Sequence, residues 1–284
     1  MRAAGPAPLA SLPALAAALL LAGCGAAPAA DPSAPAGPTG TTGGTGPTGP
    51  TGTTGAPVVV ASGAAGAFQV TVRSDRAPGT GIASLEIAVA TGAVAPAAVA
   101  VDLSAVRPAS GLRAPVVSGP SPVSPGVYSA ALAFAEAGSG GQGWTLVVGV
   151  TPEGGARAEV AFTGIAVVER RLAGLIRTGD RTLLLAVRFD GALRVGLNPV
   201  TVSLHAVDPA GGAPSPVSAA TLHAVPVMPS MGHGSTGTVD PVATGVPGLH
   251  AGAIAFSMPG DWETTFTVGL DGAEAGSVAT LVYF

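Results

Sequence analysis

The sequence contains a single cysteine, Cys24, and no lysine, and its 284 residues are only 4% aromatic and 10% charged. Each scarcity excludes something. One cysteine cannot close an intrachain disulfide or build a zinc site of two to four thiolates. The arginines are scattered rather than clustered, so no basic stripe can follow a phosphate backbone, and nucleic acid is excluded as a partner. The acidic residues, among them Asp208, Asp240, Asp261 and Asp271, stand singly in turn-like contexts. That pattern suits solvated loops better than a paired general acid and base. No phosphate-binding glycine loop opens a helix. The stretch His233-Gly234-Ser235-Thr236-Gly237 approaches a Gly-x-Ser-x-Gly elbow, but histidine replaces the first glycine and no strand-to-helix setting surrounds it. The expectation is that the protein is not an enzyme.

Long hydrophobic runs are also missing. The nearest is Leu9 to Ala22, interrupted by Ser11 and Pro13 and preceded by the single charge of Arg2. At about 14 residues it falls short of the roughly 20 that span a bilayer as a helix, and it reads as the h-region of a secretory signal over residues 1–23. It ends in Leu21-Ala22-Gly23-Cys24, which resembles a bacterial lipobox, where the cysteine is lipidated and the signal is cleaved. The alternative is a chance cysteine behind an ordinary small-residue cleavage site. With Cys24 lipidated, acyl chains would anchor the protein to a membrane in the bacterial envelope, facing the periplasm or the cell surface. Each buried methylene adds about 0.8 kcal/mol to such an anchor. Loss of Arg2 leaves eleven arginines against sixteen acids, a net charge of −5.

Residues 24–57 contain little but Gly, Pro, Thr and Ala, with glycine at every third position from Gly37 to Gly55. That is the period of a collagen triple helix, although six uncharged triplets are few for a stable trimer. As a disordered spacer the same segment would reach roughly 30 Å as a coil and ~100 Å in polyproline II form.

The rest of the chain is long enough for two domains, and it repeats. Residues 68–90 lie without a gap over 183–205, sharing Val72/Val187, Arg73/Arg188, Asp75/Asp190, Ala77/Ala192 and Gly81/Gly196. Arg107-Pro-Ala-Ser-Gly-Leu112 falls over Met228-Pro-Ser-Met-Gly-His233, and residues 126–134 fall over 248–256, each followed by a tryptophan, Trp144 or Trp262. Three blocks in one order define two copies, 58–168 and 169–284. Within them Tyr128, Ala130, Leu132 and Phe134 alternate with polar or small neighbours, as do Val200, Val202 and Leu204. Turn residues break these runs every eight to fifteen positions, and no capped 3.6-residue pattern intervenes. The fold class expected is all-β: two tandem immunoglobulin-like β-sandwiches.

The histidines (205, 223, 233, 250) and the non-initiator methionines (228, 231, 258) all lie in the second copy. Two thioethers and an imidazole in the turn Met228-Pro-Ser-Met231-Gly-His233 form a soft donor set. It suits Cu(I) better than zinc, which favours Cys or more His, or calcium and magnesium, which need oxygens. His250 and Met258 are candidates to complete the set. Against this, methionine commonly fills irregular core gaps, and the first copy makes the same turn without sulfur or imidazole. A structural or partner-docking loop therefore stands beside the copper reading. Alternation places His205 with Thr201 and Ser203 on a solvated face, and leaves His223 unassigned.

Gly196-Leu-Asn-Pro-Val-Thr-Val202, then Met228–Ser235, then Gly248-Leu-His250 leading to Ala255-Phe-Ser-Met-Pro-Gly-Asp-Trp262, resembles the YtkA-like and FixH-like envelope domains. The likeness covers about residues 181–284. His250 departs from it, since an aromatic such as tyrosine is usual there. The resemblance implies an immunoglobulin-like sandwich and a partner in cytochrome oxidase assembly or copper handling.

Overall fold

The computed structural model describes residues 56–96 and 99–284. The signal, Cys24 and all but the last two residues of the 24–57 spacer lie outside the described residues. Every strand pairing within the sheets is antiparallel, and the single 3₁₀ turn among the described residues is Gly140–Gln142. No helix among them is long and apolar enough to cross a membrane.

The first sandwich consists of β1 (Val58–Ala65), β2 (Phe68–Ser74), β3 (Gly81–Ala90), β4 (Val99–Val106), β5 (Arg113–Ala114), β6 (Val116–Ser124), β7 (Val127–Phe134), β8 (Trp144–Pro152) and β9 (Ala158–Ile165). The second consists of β10 (Ala173–Thr178), β11 (Arg181–Phe189), β12 (Gly196–Val207), β13 (Ser215–Pro216), β14 (Ala220–Met228), β15 (His233–Gly234), β16 (Val239–Ala243), β17 (Leu249–Phe256), β18 (Asp261–Leu270) and β19 (Ala273–Tyr283). The first has sheets ordered β1-β2-β3-β7-β6 and β5-β4-β8-β9; the second has β10-β11-β12-β17-β16 and β15-β14-β18-β19. Strand for strand these are one topology, with β13 added beside β12 in the second. Setting aside β1 and β10, each pair of sheets is the ABED and C′CFG arrangement of an immunoglobulin-like sandwich.

The repeat seen in the sequence is a repeat of register. Val72 pairs with Ile87 as Val187 pairs with Val202, and Val106 pairs with Arg113 as Val227 pairs with Gly234. Inward alternation fills the second core with Leu183, Leu185, Val187, Val202, Leu204, Phe256, Trp262 and Phe266. Phe256 lies 5.2 Å from Trp262 and 5.5 Å from Phe284 between ring centroids. Such aromatic pairs add about 0.5–1.5 kcal/mol each beyond their buried area.

Both sandwiches belong to one compact unit. Residues Leu183 to Val187 form an unbroken apolar run, and β11 is accordingly buried on both faces. Leu183, Leu185 and Val187 point into their own core, while Leu184 and Ala186, with Val207, join the core of the first sandwich. Arg188 Nη1 donates to Ser84 Oγ at 3.3 Å, and Arg113 Nε donates to the Gly211 carbonyl at 2.8 Å, so polar bonds also cross the junction.

This junction changes the place of His205. Alternation does put it on the outer face of β12 with Ser203, but the ring is 4% exposed and Ser203 is fully buried. The outer face of β12 is covered rather than solvated there. Burial pushes the His205 imidazole down to about 4. His223 is the exposed one: its Nδ1 meets Asp240 Oδ2 at 2.9 Å. Burial works to raise the Asp240 carboxyl, but the His223 bond and the Ala224 N–H hold it below its ordinary range.

Candidate metal centre

The MPSMGHG turn closes the end of the second sandwich. Along β14 every second side chain points inward, and Met228 is the last of them, 6% exposed. The Met228 carbonyl accepts from Met231 N–H at 3.1 Å and from Gly232 N–H at 2.8 Å. Gly232 takes φ +66, the left-handed conformation that glycine adopts without a Cβ penalty. The chain then returns with His233 paired opposite Met228. Ser230 Oγ donates to Asp261 Oδ1, tying the turn to the start of β18, and that bond lowers the Asp261 carboxyl.

Four of the side chains anticipated from sequence, those of Met228, Met231, His233 and Met258, belong to segments at this end, which meet around Trp262 and Gly260. Trp262 is fully buried, and its Nε1–H donates to the Met258 carbonyl at 2.9 Å. The His233 ring stands edge-on to Trp262 with centroids 5.9 Å apart. The Met228 methyl lies over Gly260, where a Cβ would come within 2.1 Å of it. Gly260 is held by reciprocal backbone bonds with Phe284. Met231 sits at the tip of the turn, 60% exposed.

The chemistry of His233 follows from one bond. Its Nδ1 lies 3.1 Å from the Gly234 carbonyl. A carbonyl only accepts, so Nδ1 carries a proton and Nε2 is the ring nitrogen left to offer a metal. A histidine ligand is commonly oriented in this way. Among the described residues, no group of three or more His, Cys, Asp or Glu side chains could hold a metal ion. The donors at this turn are thioethers and one imidazole.

The first sandwich shows what these positions do when they carry other residues. Arg107 stands in place of Met228, Ser110 of Met231, Leu112 of His233 and Glu136 of Met258. The two turns share their hydrogen bonds: Gly111 N–H donates to the Arg107 carbonyl at 2.8 Å, as Gly232 N–H does to Met228. Trp144 Nε1–H donates to the Glu136 carbonyl at 3.0 Å, as Trp262 does to Met258. Arg107 Nη1 forms a short ion pair with Glu136, and Ser110 Oγ reaches the same carboxylate at 3.3 Å. Glu136 and the two side chains that reach it in the first copy, Arg107 and Ser110, are therefore three methionines in the second.

His250 is not at this end. It lies on β17 opposite Val202, in the place that Tyr128 occupies in the first sandwich. Tyr128 Oη donates to the Val99 carbonyl at 2.8 Å. The His250 ring faces the equivalent carbonyl of Ala220, at the start of β14, but neither ring nitrogen completes a hydrogen bond. Ala220 and Met228 are the two ends of β14, roughly 26 Å apart at the rise of a strand. His250 is fully enclosed, and burial lowers its imidazole. It cannot complete a donor set with Met228.

Two other sequence motifs resolve as scaffold. Asn198 is buried, with its Nδ2 donating to the carbonyls of Arg194, at 2.8 Å, and Gly196, at 2.9 Å, while its Oδ1 accepts from Arg194 N–H. It braces the β11–β12 connection. Ser235 lies within a β-hairpin, its N–H directed at the Pro226 carbonyl, and no helix follows it. Sequence reasoning missed Gly260, Ser230 and Asp261. The spacing Met258-Pro-Gly260-Asp261 was the available sign of a tight loop.

No known family profile matches the chain, and no curated protein matches it. Among solved structures it is similar to FdeC, described as a broadly conserved Escherichia coli adhesin eliciting protection against urinary tract infections. Identity is 15% over 78% of this chain and 65% of that chain, with a TM-score of 0.23. This chain thus spans about 65% of the length of the adhesin chain it matches. A superposition that loose assigns neither a site nor an activity.

Proposed function

We propose that the turn at the end of the second sandwich binds Cu(I) through Met228, His233 and Met258, with Met231 as an outer thioether. In this reading the protein is a non-catalytic, lipid-anchored envelope accessory of copper handling or oxidase assembly, similar to the YtkA-like and FixH-like domains. The observation that carries it is the substitution pattern between the copies. Positions held by an ion pair and a hydroxyl in the first sandwich are all thioethers in the second, beside an imidazole whose Nε2 is left free. Soft thioethers and imidazole suit a soft, monovalent metal. The anchor would be Cys24, and the spacer would hold the sandwiches away from the membrane.

The test is a titration of the full chain with Cu(I), in competition with a chromophoric Cu(I) chelator, beside a Met228→Leu/His233→Ala variant. One equivalent is retained by the parent and lost by the variant if the reading holds. Equal retention by both, or by neither, overturns it.

A second reading, a metal-free docking module, is favoured by the exposure of Met231, Val195 and Leu197. These last two line an open groove of about 470 Å³ with Gly234–Gly237. Replacing Met231 alone separates the two: under docking it weakens partner capture and leaves the metal titration of the parent unchanged.

A further inference from the structure

The junction between the sandwiches carries a second cavity that the copper reading does not use. It has a volume of about 460 Å³, and its walls include Pro115 and Val117 from the first sandwich and Pro214, Pro216 and Pro247 from the second. Ligand pockets of roughly 300–1,000 Å³ favour such places between domains, with apolar walls and a few polar groups. Besides the exposed Ser104 hydroxyl of β4, two polar side chains line this one, Arg113 from β5 and His205 from β12.

Both have hydrogen-bonding capacity left over. Arg113 Nε is engaged by the Gly211 carbonyl at 2.8 Å, while neither terminal nitrogen has a protein partner among the described residues. His205 Nδ1 lies 3.0 Å from Ser203 Oγ. Its Nε2 has no protein partner among the described residues and is not one of their sealed, unpartnered atoms, so it opens to the cavity that the ring lines. A ring nitrogen that has no protein partner and opens to cavity space is available to an acceptor from outside the protein. With Ser203 O–H donating to Nδ1, the neutral ring offers Nε2–H as a donor. An arginine fork and an N–H donor at one cavity match a carboxylate, and the pyrrolidine walls match a flat apolar body.

We infer that the cavity between the two sandwiches binds a small aromatic carboxylate, its anionic group held by Arg113 and His205 and its ring against Pro115, Pro214 and Pro216. Arg113 and His205 come from different sandwiches, so an occupant held by both also ties the copies together.

Calorimetric titration of the full chain with benzoate tests this, with benzamide as the neutral isostere and Arg113→Gln as the variant. Arg113 is exposed, so its replacement leaves the fold intact. The expected result is saturable binding of one benzoate, weakened at least tenfold both in benzamide and in the variant, with the His205 Hε1 resonance shifting on saturation. Absence of saturable benzoate binding, equal binding of benzamide, or unchanged binding by the variant overturns the assignment. None of these outcomes bears on the copper titration, because the two sites share no residue.

Discussion

Arg107 is ion-paired to Glu136 at the end of the first sandwich, at the two positions that carry Met228 and Met258 in the second. The backbone of the two turns is the same down to the bond from Gly111 or Gly232 to the carbonyl four residues earlier. The difference between the copies is therefore chemical and not conformational, which makes it transferable.

A graft of Arg107→Met, Ser110→Met, Leu112→His and Glu136→Met should raise Cu(I) stoichiometry from one to two. Leu112 is buried, so the imported histidine costs about 1–3 kcal/mol, and circular dichroism should first establish folding. A folded graft that still holds one equivalent would show that the second site needs more than these positions.

Gly260 leaves room for the Met228 methyl, and its φ of +146 disfavours any other residue. Gly260→Ala should cost at least about 2 kcal/mol by urea unfolding and should also weaken Cu(I) binding by displacing Met228. Gly119→Ala, where a Cβ meets nothing, should stay within about 0.5 kcal/mol of the parent.

Tyr128 satisfies its hydroxyl on the Val99 carbonyl, whereas His250, at the matching place, completes no bond. His250→Tyr should stabilise the protein by about 1 kcal/mol in urea unfolding, and leave Cu(I) affinity unchanged because the position is at the far end of β14. A drop in metal affinity in this variant would place His250 in the site after all.

Much of this was legible in the sequence. The three aligned blocks specify the repeat, and alternation specifies the strands, because both depend on local periodicity. The error over His205 arose because alternation assigns a face without saying what covers it. The unbroken run Leu183 to Val187 was the sign that a second layer lies outside β11. His250 and Met258 share a strand face in the sequence pattern but not an end of the sandwich. The strand β17 from Leu249 to Phe256 separates them along its length, and that distance follows from the rise of about 3.3 Å per residue rather than from alternation.

Acid stability should report the junction. His205 is held at about 4, below its ordinary value near 6.5, so the unfolded chain takes up a proton that the folded chain refuses as pH falls through that window. Stability is then fully present above about pH 7 and declines by about 3 kcal/mol on the way to pH 4, with His250 acting in the same direction. Urea unfolding at stepped pH should show this slope, and His205→Gln should flatten it. The carboxylates held low, Asp102 by Arg157 and Asp261 by Ser230, lose their contribution only as pH falls through their own lower range.

The most direct measurement of the central claim is the copper K-edge X-ray absorption spectrum of the Cu(I)-loaded full chain. A thioether and imidazole site gives a first shell of two or three sulfur scatterers with one imidazole nitrogen, and loses sulfur amplitude in a Met228→Leu/Met258→Leu variant. A shell of nitrogen and oxygen alone, or a spectrum unchanged in that variant, would contradict the claim.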